Sequence, residues 1–475
     1  MGFSLIASTV VIGVSILLAV EILTGNILPA VSDINDSYKD MKNRAVEQVQ
    51  TDINITGVTK TWANVTWWDT DWSYRKRITI NHIYITSDLT NFPIMVDITD
   101  SDLKDKAQSD GDDITFVDEN NIKLNHEIEM YDSSTGHLIA WVNVTHLYAT
   151  VDTIIYIYYG NPTCSSQQNP AGTWDSNFVL VQHLSETSNP HYDSTQYNND
   201  GNATAGTNQS ADGIVDGADS FQGQLNDGDY VAIPDSNILD ITGSITMEAW
   251  VKITDPADND EQGILSKPDY NLIYDGNIGD GKVFRAEFRG LTTTQVYGVT
   301  TPESNSWYYV VGVYDSDAEK IMIYVDGDEE GKETSSGTIN TGTYDLRIGN
   351  HYNQYYIDGT IDEVRISKIV RSAAWIKTTY YNINLPNMFL TVGTEEDKDW
   401  VYLIITVENI GSTNLEVNDF TLLINGTVYE FTGSSLYLYP EDEATITTTT
   451  LVESGVKRVK VITYNGIADY YEYTG

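Results

Sequence analysis

The chain has 475 residues, 69 of them acidic and 26 basic, for a formal net charge of −43. That length holds about three or four domains, and the charge excludes nucleic acid and anionic lipid headgroups as partners. A single cysteine, Cys164, excludes an intrachain disulfide framework, and its setting NPTCSSQQNP offers no base or cation to activate a thiol.

No residue from Phe3 to Val20 is charged, a run long enough to cross most of a bilayer's hydrocarbon as a helix. The first residues lack Lys and Arg, and the passable cleavage motif Ala30-Val31-Ser32 follows an overlong apolar run, so a retained helix is expected in place of a removed signal peptide. Ile27, Val31, Ile34, Tyr38, Met41, Ala45 and Val49 then form an apolar seam beside Asp33, Asp36, Lys39, Asp40, Lys42 and Glu47. This predicts one helix from about Phe3 to about Gln50, kinked at Pro29. TDINITGVTKTW follows it as a strand. The opening run MGFSLIASTVVIGV resembles archaeal type IV pilin-like proteins, and more closely the archaellum accessory family that acts as a periplasmic stator. The resemblance implies a membrane anchor or a helix that associates with its own copies through residues 3–50.

From Trp72 to Pro162, segments such as RITINHIYI and IIYIYYG alternate as strands. In LNHEIEMY the same alternation puts Glu127 and Glu129 on one face and His126 on the other, and a solvated face is expected for the two glutamates. There is no His-Glu-x-x-His. WSYRKRI, DGDDI, KLNHEIE, LIAWV and YIYYGN together resemble a domain of unknown function found in archaeal and bacterial surface proteins upstream of laminin-G-like domains. It implies a β-sandwich over residues 67–165.

VQHLSE, HYDSTQYNNDG, SITMEAWVKI, NSWYYVVGVYD, IMIYVDGDEEG and IDGTIDEVRIS follow in order between residues 178 and 395. Together they resemble laminin-G-like, concanavalin-A-like jelly rolls. Trp250 and Trp307 stand in apolar strand runs and are expected in the core. The resemblance implies a structural Ca²⁺ ion, with Asp193, Asn199, Asp200 and Asp362 as its oxygen donors. Glycosidases of this fold need two facing carboxylates. Glu248 and Glu287 are isolated, and neither a Glu-x-Asp-x-x-Glu strand nor a Gly-x-Ser-x-Gly elbow occurs, so no enzyme is expected. Tyr352, Tyr355 and Tyr356 in NHYNQYYIDG are loop aromatics suited to stacking on a sugar ring.

The last part, 397–475, alternates again, with a hairpin turn at Asn425-Gly426. Short strands and turns imply an immunoglobulin-like sandwich. Asn409, Gly411 and Leu415 in VENIGSTNLEVND resemble a strand–turn of archaellins and the stator family. In those families the β domain directly follows the helix, so residues 51–66 are expected to complete this domain, with everything between inserted at a surface turn. Seven Asn-x-Ser/Thr sequons, at Asn35, Asn54, Asn64, Asn143, Asn202, Asn208 and Asn425, suit a glycosylated exterior protein.

The fold class expected is mainly β: a long N-terminal hydrophobic helix, then immunoglobulin-like, jelly-roll and laminin-G-like sandwiches. The function expected is that of an archaeal cell-surface protein, membrane-anchored with its β domains outside, that adheres to glycans or to surface-layer protein. The alternative is a subunit of an extracellular pilus-like filament built on the N-terminal helix.

Overall fold

The computed structural model describes residues 39–43, 50–62, 67–223, 228–257, 260–276, 282–351, 355–398, 401–449, 452, 456 and 458–472. Residues 39–43 and Gln50 are helical. The rest of the helix expected over 3–50, and the sequons at Asn35 and Asn64, lie outside the described residues. Among the described residues no helix is long and apolar enough to cross a membrane. The chain divides into two compact units, 1–65 with 399–475, and 66–398.

In the first unit, Ile53–Trp62 pairs antiparallel with Val401–Asn409, in the register Ile53↔Asn409 and Val58↔Ile405. The sheet continues through Glu443–Thr448 to Phe431–Gly433. A second four-stranded sheet runs Thr427–Tyr429, Thr421–Ile424, Arg458–Ile462, Ala468–Glu472. Ile53, Ile55, Leu403, Ile405 and Val407 bury against Leu422, Ile424, Val459 and Val461, as alternation on two facing sheets requires. The Asn409–Leu415 turn is a clasp. The buried Asn409 amide donates to the carbonyls of Thr413 and Leu438, and Ser412 N donates to Gln50 O. A Cβ on Gly411 would stand 2.4 Å from that same carbonyl oxygen, so only glycine fits there. The hairpin at Asn425-Gly426 has two left-handed residues, at φ 51° and 93°, the type I′ geometry that Asn-Gly favours.

The second unit holds two sandwiches. The first has a five-stranded sheet, Leu390–Asp397, Tyr74–Ile80, Thr153–Tyr159, Thr115–Asp118, Lys123–Leu124, over a three-stranded one, Leu89–Thr99, His137–Leu147, His126–Asp132. One boundary expected from sequence is corrected. The jelly roll is expected to run to residue 395, but Leu390–Asp397 pairs with Tyr74–Ile80 of the first sandwich. The helix Ala373–Asn384 carries the chain back. Ser372 caps it by accepting from Trp375 N, and the Asn382 side chain forms two hydrogen bonds with the Met95 backbone, 2.6 and 2.9 Å long. The second sandwich is the jelly roll. Its seven-stranded sheet runs Asn202–Ala203, Val231–Ile233, Leu346–Ile348, Glu261–Lys267, Tyr270–Asp275, Val283–Phe288, Gln295–Tyr297. The other sheet runs Asn208–Asp212, Gly217–Gln222, Asp358–Ser367, Ile245–Ile253, Trp307–Asp315, Lys320–Val325, Asp328–Thr334, with Phe178–Gln182 also on Asp358–Ser367.

The central strands of that eight-stranded sheet are buried on both faces, while its edge strands Asn208–Asp212 and Asp328–Thr334 are largely exposed. From Ile245–Ile253, Met247, Ala249 and Val251 enter the core between the two jelly-roll sheets. Trp250 points the other way, with Tyr309, Val311 and Tyr324, into a core shared with the first sandwich and with Trp375 and Ile376 of the helix. Trp250 is therefore core, whereas Trp307, also expected there, is only partly buried at the edge, where Lys252 lies 4.7 Å from its ring.

His191 N and O both bond Gly201, closing a loop, and its buried ring lies 3.0 Å from Glu186 and 3.1 Å from Asp219. Burial alone would lower the imidazole pKa, but Asp219 and Glu186 outweigh it and raise the value to about 9. A His raised in the folded state stabilises fully below its unfolded value of about 6.5 and loses that contribution as pH rises through about 9. The melting temperature is expected to fall from pH 7 to pH 9.5 by several degrees more in the parent than in His191→Gln. Equal falls would show that this pair does not govern alkaline stability. A second expectation concerns the first unit: residues 51–65 joined by a short linker to 399–475 should fold cooperatively alone, with dispersed amide NMR signals. A collapsed spectrum would show that the intervening residues are needed for this unit to fold.

Candidate functional site

The jelly roll's seven-stranded sheet turns its second face away from the core between the two jelly-roll sheets, and the side chains on that face are themselves buried along Tyr270–Asp275 and Val283–Phe288. Leu272, Tyr274, Phe284, Ala286 and Phe288 turn into the core, so alternation directs Asn271, Asp275, Arg285 and Glu287 to the outer face. The Arg285 guanidinium binds Asp275 at 2.6 Å and Glu261 at 3.1 Å, and Arg289 binds Glu287 at 2.9 Å. The neighbouring His351, with Arg285, holds the Glu261 carboxyl below its ordinary value.

At one end of this face lies a cleft of about 370 Å³, lined by Ser266, Asp269, Arg289, Asn340, Tyr344 and Arg347 among others. Its walls are stitched by backbone bonds: Arg289 N to Asp269 O and Asn340 N to Arg289 O, both 2.9 Å. Ser266 and Arg347 are cross-strand partners. Arg347 lies 4.5 Å from the Tyr230 ring. Tyr344 is 60% exposed, a ring face open to solvent. Asp269 is buried, and its Oδ2 has no hydrogen-bond partner among the described residues. Burial raises its pKa. An unpaired buried acceptor is costly until a donor arrives. The cleft thus offers an aromatic face, two guanidiniums and an acceptor awaiting a donor.

Residues 225–377 match the model of the concanavalin A-like lectin/glucanases superfamily, so the chain contains a concanavalin-A-like jelly-roll domain. Residues 110–200 match a domain of unknown function, DUF2341. No curated protein matches the chain. Among solved structures, domain 4 of an extracellular arabinanase from Geobacillus stearothermophilus, in complex with arabinotriose, is 17% identical. The match covers 43% of this chain and 98% of that one, with a TM-score of 0.34. The binding domain of Paraclostridial Mosquitocidal Protein 1 is 12% identical, covering 61% and 76%, with a TM-score of 0.36. Trypanosoma rangeli sialidase in complex with the inhibitor DANA is 15% identical, covering 54% and 43%, with a TM-score of 0.33.

Of the residues expected to hold Ca²⁺, Asp193, Asn199 and Asp200 lie in one loop and Asp362 in the strand Asp358–Ser367. The Asp193 carboxylate accepts from the N–H groups of Val181, Thr195 and Asn199. Asn199 bonds Val179 O and Ser236, and Asp200 accepts from Asp193 N. Asp362 accepts from Ile214 N and Val215 N. These oxygens already serve backbone donors that any cation would have to share. Of the expected stacking aromatics, Tyr352 lies outside the described residues. Tyr355 and Tyr356 are half-buried in a short strand, Tyr355 against His351 and Tyr356 near Tyr230. Asn202, Asn208 and Asn425 are exposed, Asn54 and Asn143 half-buried, and the Asn143 amide donates to Thr173 O. Cys164 is half-buried, with its thiol pushed up by burial and by Asp113.

The solvated face expected for Glu127 and Glu129 is overturned. Their strand lies against the jelly roll, so Glu127 bonds Trp174 and Ser194 and Glu129 bonds Trp141. Sequence reasoning also missed Tyr344 and Asp269, whose one signal was an aromatic in the turn-rich stretch TGTYD.

Arg285→Met leaves Asp275 and Glu261 without their shared cation. We expect a loss of about 3–5 kcal/mol in denaturant unfolding; a change below about 1 kcal/mol would show the pairs are dispensable.

Proposed function

We propose that this protein is a carbohydrate-binding protein of the cell surface, and that its jelly roll takes a neutral oligosaccharide in the cleft beside Tyr344. The observation that carries the reading is the juxtaposition of exposed Tyr344 with Arg289, Arg347, Asn340 and the unpaired acceptor of Asp269 in one cleft of about 370 Å³, on a module matching a lectin and glucanase superfamily. Sugar rings offer C–H faces for an aromatic plane and hydroxyls for polar groups. The volume falls within the range of small-molecule sites, roughly 300–1,000 Å³. The net charge of −43 disfavours anionic glycans.

Placement at the surface is supported by the uncharged run Phe3–Val20, which suits an anchor, and by the exposed sequons at Asn202, Asn208 and Asn425.

On a glycan array, followed by calorimetry on the best neutral oligosaccharide, Tyr344→Ala should weaken binding about tenfold, or about 1.4 kcal/mol, near the upper end for a lost stacking contact, with no change in melting temperature. Arg347→Ala should weaken it as well. An array with no neutral glycan bound, or affinity unchanged in Tyr344→Ala, would contradict the reading.

A further inference from the structure

The seam between the two sandwiches of the second unit holds a group of charged side chains remote in sequence from the cleft residues. His183, at the end of Phe178–Gln182, places Nδ1 2.6 Å from Glu363 Oε1 and 3.3 Å from Glu129 Oε2, and Nε2 3.5 Å from Glu127 Oε2. One ligand atom from each of Glu129, His183 and Glu363 lies within 4.8 Å of the others. All three side chains are at most 8% exposed. Glu129 belongs to the first sandwich, His183 and Glu363 to the jelly roll.

Three independent features single this group out. First, Glu129 Oε1 and His183 Nε2 are buried without a hydrogen-bond partner among the described residues. Second, among the described residues Glu127, Glu129, Glu363 and nearby Glu248 face only His183 and Arg365 as cations, an excess of acidic groups that a dry interior tolerates poorly. Third, Glu363 at φ 52° and Leu184, next to His183, at φ 59° are in left-handed backbone, a cost of about 1–3 kcal/mol each that persists where a side chain's placement matters.

The geometry points to a divalent transition-metal site of the Zn²⁺ or Mn²⁺ class, with His183 Nδ1, Glu129 and Glu363 as ligands, that clamps the first sandwich to the jelly roll. Mixed imidazole and carboxylate donors select such ions over Ca²⁺. Two donors about 2.1 Å from a tetrahedral ion stand about 3.4 Å apart, close to the 3.3 Å between His183 Nδ1 and Glu129. The 2.6 Å contact to Glu363 is a hydrogen bond that the ion would replace. The supporting shell is in place. On the far side of the ring the Glu127 carboxylate, itself fixed by Trp174 Nε1 and Ser194 Oγ, stands 3.5 Å from Nε2, outside hydrogen-bond contact with it. Trp141 Nε1 donates to Glu129 at 2.7 Å, Arg365 binds Glu363, and the Trp141 ring stacks on His183 at 5.7 Å. This metal is distinct from the Ca²⁺ expected at Asp193 and Asp362, and it does not depend on the glycan reading.

The test uses the full chain, stripped with a chelator and titrated separately with Zn²⁺ and Mn²⁺ by calorimetry, with metal content read by mass spectrometry. One equivalent of one ion should bind and raise the melting temperature by several degrees. Glu129→Gln, which keeps the shape and the Trp141 hydrogen bond, should weaken uptake at least about tenfold, and Asp193→Asn should not. A folded parent chain that takes up neither ion, or a Glu129→Gln variant that binds as the parent does, would overturn the proposal.

Discussion

The second unit depends on one constraint: the central strands of the eight-stranded sheet are dry on both faces. A strand buried on both sides cannot alternate apolar with polar, and Ile245–Ile253 does not; all but Lys252 are buried. Where a polar side chain does occur on the face turned to the first sandwich, it must find a partner inside the seam. Glu248 accepts from Tyr309, Arg365 binds Glu363 and lies 4.4 Å from the Trp141 ring, and Arg371 grips Asp175 with two bonds of 2.7 and 3.0 Å. Such pairs contribute little net stability over apolar packing, but breaking one strands a buried charge. They fix which face meets which, and so join two sandwiches into one unit.

The outer face of the seven-stranded sheet carries polar side chains that pair with one another, and a cleft lies at one end of it. The charged seam and the cleft are alike in composition and opposite in surroundings. One is shut between modules, the other has Tyr344 in solvent. The same residue types serve cohesion in one place and, in the proposed reading, recognition in the other.

Much of this was legible in the sequence. Alternation marked most strands, Asn425-Gly426 marked its hairpin, and Trp250 marked a core strand. What sequence withholds is what covers a face. Alternation put Glu127 and Glu129 on the same side of a strand, but only the fold shows that side turned to Trp141, Trp174 and His183. Strand neighbours distant in sequence are also hidden, which is why the jelly roll is expected to run to residue 395 although Leu390–Asp397 pairs with Tyr74–Ile80. The cleft draws residues from several separated segments between Ser266 and Arg347, and no local pattern joins them.

The central claim is that residues 66–398 cohere through the doubly buried sheet. Native-state hydrogen exchange on the whole protein tests it most directly, comparing amides of Leu89–Thr99 in the first sandwich with those of Ile245–Ile253 in the jelly roll. The account predicts that the slowest amides of both strands exchange through one opening, with the same free energy and the same denaturant dependence. A first sandwich that opens separately, at markedly lower free energy and a smaller denaturant slope, would contradict it.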